Sequence, residues 1–107
     1  MFDLTEADVK EVYRQLKDRY DLVLTNTLSV DDGFEMDCPI LVGRAGDRVL
    51  WLYEYGGEFV LDVLNAEVTA GTHWHPQTVE MAVKDVAAFM EGRQDYPLIP
   101  FACPTDR

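Results

Sequence analysis

The stretch Val49-Leu50-Trp51-Leu52-Tyr53-Glu54-Tyr55-Gly56-Gly57-Glu58-Phe59-Val60-Leu61-Asp62-Val63 holds two bulky runs joined by a pair of glycines. A two-residue hairpin turn needs positive φ at its centre, and Gly56-Gly57 supplies it without steric cost. The runs therefore read as two strands, Arg48 to Tyr55 and Glu58 to Leu64. With Tyr55 opposite Glu58, Leu52 faces Leu61 and Leu50 faces Val63, and Phe59 joins them on one side. The reverse side takes Tyr53 beside Val60, Trp51 beside Asp62 and Val49 beside Leu64. Both sides are apolar over most of their length. An antiparallel sheet with one wetted side alternates apolar and polar residues, so a helix, the C-terminal tail or another chain is expected to cover the second side.

Toward the N-terminus, Arg44-Ala45-Gly46-Asp47 reads as a turn preceded by a strand through Ile40 to Val42, with Pro39 at an edge or bulge. Before it, Leu22, Leu24, Leu28 and Val30 share one face of another strand. Taking Asp31-Asp32-Gly33 as a three-residue loop sets Val30 against Phe34, Leu28 against Met36 and Asn26 against Cys38. A helix from about Glu6 to Arg19 comes first. Thr5 and Asp8 form an approximate capping box, Leu4 and Val9 a hydrophobic staple, and Val9, Val12, Tyr13, Leu16 and Tyr20 an apolar face.

Toward the C-terminus, Asn65 to Gly71 reads as a connection. Pro76 suits the first turn of a helix with His75 near its N-cap. The buried stripe of that helix is Val79, Ala82, Val83, Val86, Phe89 and Met90, and Gly92 is its stop. The tail from Tyr96 to Pro104 is apolar and punctuated by prolines, so it is expected to lie extended across the domain. The fold class is thus α+β over residues 1–107 as one domain: an N-terminal helix, a four-stranded antiparallel meander, a C-terminal helix and a Pro-rich tail.

Charge narrows the partners. The chain carries 20 acidic and 9 basic residues, a net −11, and from Val49 through Val83 it has no Lys or Arg. A phosphate backbone needs clustered cations, so nucleic acid and anionic membranes are not expected partners. The apolar runs are too short to span a bilayer, and the first residues lack the pattern of a signal peptide. The expected compartment is the cytoplasm, with Cys38 and Cys103 reduced and Cys38 packed in the core beside Met36.

Chemistry has few footholds. His73 and His75 are the only histidines, and in a strand they point the same way. They are half of a zinc site, for which Cys38, Cys103, Glu80 or Asp62 would have to complete the ligand set, and no CxxC or HExxH spacing supports it. The expectation is no bound metal and no cofactor, with the pair at the start of the helix. A Cys–His nucleophilic pair would need Cys103, because Cys38 is expected to be inert. Ser29 is the only serine and has no elbow motif. Asp31, Asp32, Glu35 and Asp37 have the wrong spacing for a calcium loop. What stands out is Trp51, Tyr53, Tyr55, Glu58 and Asp62 on one side of the central hairpin, with Glu54 and Trp74 nearby in sequence. Aromatics interleaved with carboxylates suit a protein partner with a basic surface.

The order helix, antiparallel meander, helix, in an acidic chain without a catalytic set, resembles the small bacterial immunity proteins that neutralise toxins. The stretches that carry the resemblance are Val49 to Val63 and Thr72-His73-Trp74-His75-Pro76-Gln77-Thr78-Val79-Glu80. The resemblance implies an inhibitory binding role without catalysis, and it transfers no site residue. The leading expectation is an acidic, non-enzymatic protein-binding module. The alternatives are a metal-dependent or catalytic protein using His73 and His75, and a structural homodimer without a separate ligand.

Overall fold

The computed structural model describes residues 3–26, 38–67, 69–93 and 97–100. In chain order the elements are α1 (Glu6–Leu16), β1 (Leu22–Thr25), β2 (Ile40–Ala45), β3 (Arg48–Tyr55), β4 (Glu58–Asn65), β5 (Ala70–Trp74), α2 (Val79–Met90) and β6 (Ile99–Pro100). The strands form one antiparallel sheet in sequence order, β1 through β6. The α+β class holds, but the expected four-stranded meander is a six-stranded one. β5 takes Ala70 and Gly71 from the segment read as a connection and Thr72 to Trp74 from the residues read as leading into the second helix, and β6 comes from the tail.

The central hairpin has the register read from Gly56-Gly57. Tyr55 pairs with Glu58, Leu52 with Leu61, Leu50 with Val63, and both glycines have positive φ, 63° and 84°. Both helices pack on one side of it. Val9, Val12 and Leu16 of α1 and Ala82, Val86, Ala87 and Phe89 of α2 form one core with Leu22, Leu41, Leu50, Leu52, Phe59, Leu61 and Val63. Removing these side chains from water is the main favourable term for the fold.

Each helix end has an identifiable cause. The Thr5 amide donates to the Asp8 carboxylate at 2.8 Å, the carboxylate half of the expected capping box. α1 stops at Leu16, short of Arg19, where the Arg19 amide turns to the Leu16 carbonyl three residues back, at 3.0 Å, and breaks the i→i−4 ladder. α2 starts later than expected. Its N-cap is Thr78, whose hydroxyl accepts from the Met81 amide at 3.0 Å, while His75 and Pro76 precede the helix. A residue before proline is biased to extended backbone, which suits His75 to prolong the path of β5. At the other end Gly92 has φ 69°, and its amide reaches Phe89 while that of Arg93 reaches Ala88, a Schellman closure.

The β1–β2 register departs from expectation by one residue. Leu24 lies opposite Leu41 and Leu22 opposite Gly43, so Asn26 does not pair with Cys38 in the expected frame. The reason lies in the next strand: β2 is held by Leu41 opposite Leu52, which commits Leu41 and Gly43 to the helix side. The expected Val30–Phe34 and Leu28–Met36 pairs fall outside the described residues. Among the described residues no helix is long and apolar enough to cross a membrane.

Candidate functional site

The sheet side away from the helices gathers most of the residues of interest. Strand alternation puts Trp51, Tyr53 and Tyr55 of β3 there, with Glu58, Val60 and Asp62 of β4. The next strand adds what the sequence treated separately. His73 of β5 is the cross-strand partner of Asp62, so Trp51, Asp62 and His73 form one row across three strands. Val42 and Val23 extend the row toward the β1 edge.

His75, just beyond β5, closes the cluster. Its Nδ1 lies 3.0 Å from the carbonyl oxygen of Phe59 and 3.9 Å from Oε1 of Glu58. A carbonyl only accepts, so Nδ1 carries a proton and Nε2 is left as the open acceptor of the neutral ring. The two imidazoles stand edge to face with centroids 5.8 Å apart.

Burial and charge act together here. Tyr53 and Asp62 stand in neighbouring rows of the same sheet side, and the phenol and the carboxyl act on one another. Burial, then the negative charge of Asp62, push the Tyr53 phenol up to about 12. Burial also raises the Asp62 carboxyl above its ordinary value, against the opposing influence of His73, Tyr53 and His75. In a half-dry site the charged form of either group loses more hydration than its neighbours return. Asp62 is therefore a carboxylate with high demand for a cation. Among the described residues the influences on its protonation include His73 and His75 but no Lys or Arg.

Two of the residues singled out in the sequence stand apart. Glu54 is in register with Phe59 on the helix side, and its carboxylate accepts from the Gly57 amide at 2.7 Å, clasping the hairpin turn. Trp74 is in register with Leu61, packs against the core, and donates its indole N–H to Asp85 of α2 at 2.9 Å. Cys38 is half-buried and acts on Tyr53, placing it toward the helix-free side and not in the core joined to the helices. Cys103 and the acids Asp31, Asp32, Glu35 and Asp37 lie outside the described residues. Among the described residues no three His, Cys, Asp or Glu side chains are arranged to hold a metal.

Reading the histidines as a helix start hid their meeting with Asp62. A signal was present in Asn65, a residue that closes turns through its own side chain. Its Oδ1 accepts from the amides of Thr69 and Ala70, at 2.8 and 3.0 Å, and its Nδ2 donates to the Thr69 hydroxyl. That turn sends the chain back along β4 and carries His73 to Asp62. Comparison with protein-family models, with curated proteins and with solved structures found no match.

Proposed function

We propose that this protein is a non-enzymatic binding module whose helix-free sheet side receives the basic surface of another protein, in the manner of an inhibitor or immunity protein. The observation that carries the reading is the gathering of Trp51, Tyr53, Tyr55, Glu58 and Asp62 on the one sheet side that the helices leave free. The exposed apolar side chains support it. Among the described residues the large ones are Val23, Tyr55, Ile99 and Met81, and the first three point to that side. Val23 on the β1 edge and Ile99 on the β6 edge stand far apart, so these side chains border the aromatic row and do not form one patch. Aromatic anchors supply contact energy while carboxylates steer a cationic partner and set the encounter rate. Binding fits the geometry better than metal-dependent chemistry, because His73 and His75 gather no third metal ligand among the described residues.

The experiment is capture of the partner from cells that make the protein, with wild type and a Glu58→Lys, Asp62→Lys variant side by side. The expected result is a partner of basic surface that the variant loses, with an association rate that falls as salt rises. An acidic partner, or an association rate indifferent to salt, overturns the reading.

A further inference from the structure

Within that side of the sheet the groups are not evenly spread. Asp62 lies in the middle strand of a row, with Trp51 beside it on β3 and His73 beside it on β5. The Tyr53 phenol stands in the next row on the same side and acts on the carboxyl. A carboxylate accepts through two oxygens and can take a paired donor. Among the described residues the titratable groups around this point are Asp62 and Glu58 of β4, Tyr53 of β3, His73 and His75, with Cys38 acting on Tyr53. The adjoining edge strand β6 brings only Ile99 and Pro100. On α2, Asp85 is engaged by Trp74 on the opposite side of the sheet. Arg44 is the one Lys or Arg that alternation places on this side among the described residues. It sits opposite Val49, in the row after that of Trp51.

We propose that the Asp62 carboxylate, set between Trp51, Tyr53, His73 and His75, is the seat of a guanidinium group from the basic partner, and that protonation of the two imidazoles weakens its hold. The proposal rests on the binding reading above and names the side chain that the surface takes. A planar guanidinium fits better than an ammonium. It pairs with a carboxylate through two parallel N–H groups and stacks on aromatic faces, here Trp51 and Tyr53. It is also more weakly hydrated, so the half-buried position costs it less. The sign with pH follows from the neighbours. Imidazoles change charge between pH 5 and 8. Neutral, they leave Asp62 and Glu58 as an uncompensated pair of negative charges. Protonated, they satisfy both carboxylates from within the chain and repel the arriving cation. By linkage, a cation in the seat in turn makes the imidazoles harder to protonate.

The probe is the blocked tripeptide N-acetyl-Gly-Arg-Gly-amide, titrated into the intact protein. Its citrulline counterpart has the same shape and no charge. Binding is read from the NMR signals of the Trp51 indole and the two imidazoles. The arginine peptide is expected to shift all three saturably. Citrulline, and separately Asp62→Asn, should weaken binding by about tenfold, the loss of one charge-assisted pair. Between pH 7.5 and pH 5.5 wild-type affinity should fall by about threefold, the scale of exposed charge pairs. A His73→Gln, His75→Gln variant should lose that fall. Glu58→Gln serves as a second variant should Asp62→Asn fail to fold, and it should weaken binding in the same direction. Equal binding of citrulline, or undiminished binding by a folded Asp62→Asn protein, overturns the seat. If the peptide fails while a basic partner is still captured and lost on charge reversal, the seat alone is wrong. If the peptide binds through Asp62 while the captured partner is acidic, the seat stands and the wider reading falls.

Discussion

Asp62 sits on a half-buried strand position between a phenol and an imidazole, and its protonation is linked to folding. Burial raises its pKa above the ordinary 3.8, so the folded chain holds that proton more tightly than the unfolded one. Its favourable contribution is complete below 3.8 and is lost as pH rises through the raised value. At neutral pH the ionised group is therefore a cost. Asp62→Asn keeps the size and shape of the side chain and removes the charge. The variant is expected to match or exceed wild type in urea midpoint at pH 7, with the gap closing toward pH 3. A lower midpoint at pH 7 would mean that the imidazoles and Tyr53 outweigh desolvation. At this scale the sequence was legible for Trp51, Tyr53, Tyr55, Glu58 and Asp62, whose side follows from strand alternation alone. It was not legible for Glu54 and Trp74, which are close in sequence and on the other side of the sheet. Nor did it show the histidines beside Asp62, since that contact needs the β4–β5 pairing.

Among the elements, β5 is the one that brings the histidines into place, and glycine makes its approach to β4 feasible. A Cβ at Gly71 would stand 2.6 Å from the Val63 carbonyl oxygen and 2.9 Å from Cδ2 of Leu64. The first of these is backbone and cannot step aside. Gly43 of β2 is also crowded, by Sδ of Met90 at 2.9 Å and Cδ2 of Leu22 at 3.0 Å, but both are ends of flexible side chains. Gly71→Ala is expected to cost about 1–3 kcal/mol and Gly43→Ala less than about 1.5 kcal/mol. Denaturant midpoints of the two variants check the order, and an equal or reversed cost would show that β5 is not pinned at Gly71. The elements read best where the signal is local: the Gly56-Gly57 hairpin, the Thr5–Asp8 cap, the Gly92 stop. β5 was missed because Ala70 and Gly71 are poor strand formers and the segment, five residues long, shows no apolar alternation. Its place comes from pairing with β4 and from the Asn65 turn.

For the molecule as a whole, one side of the sheet is spent on the helices and the other is left with exposed Val23, Tyr55 and Ile99. Such a side is expected to associate with a second copy at high concentration when no other partner is present. Light scattering should show a mass above that of the 12.2 kDa chain, and Val23→Lys with Ile99→Lys should return it to the monomer. A monomer at high concentration for the unaltered chain would rule this out. The sequence by itself determined the fold class, the side taken by every residue of the central hairpin, the caps at Thr5 and Gly92, and the acidity of the stretch from Val49 to Val83. These follow from interactions a few residues long, or from a period of two that no distant contact can change. Only the tertiary structure decided the number of strands, the β1–β2 register, the placing of both helices on one side, and the meeting of Asp62 with His73 and His75. Each of these depends on which strand pairs with which. That choice is made by burying a shared apolar side, a collective energy that no single segment carries.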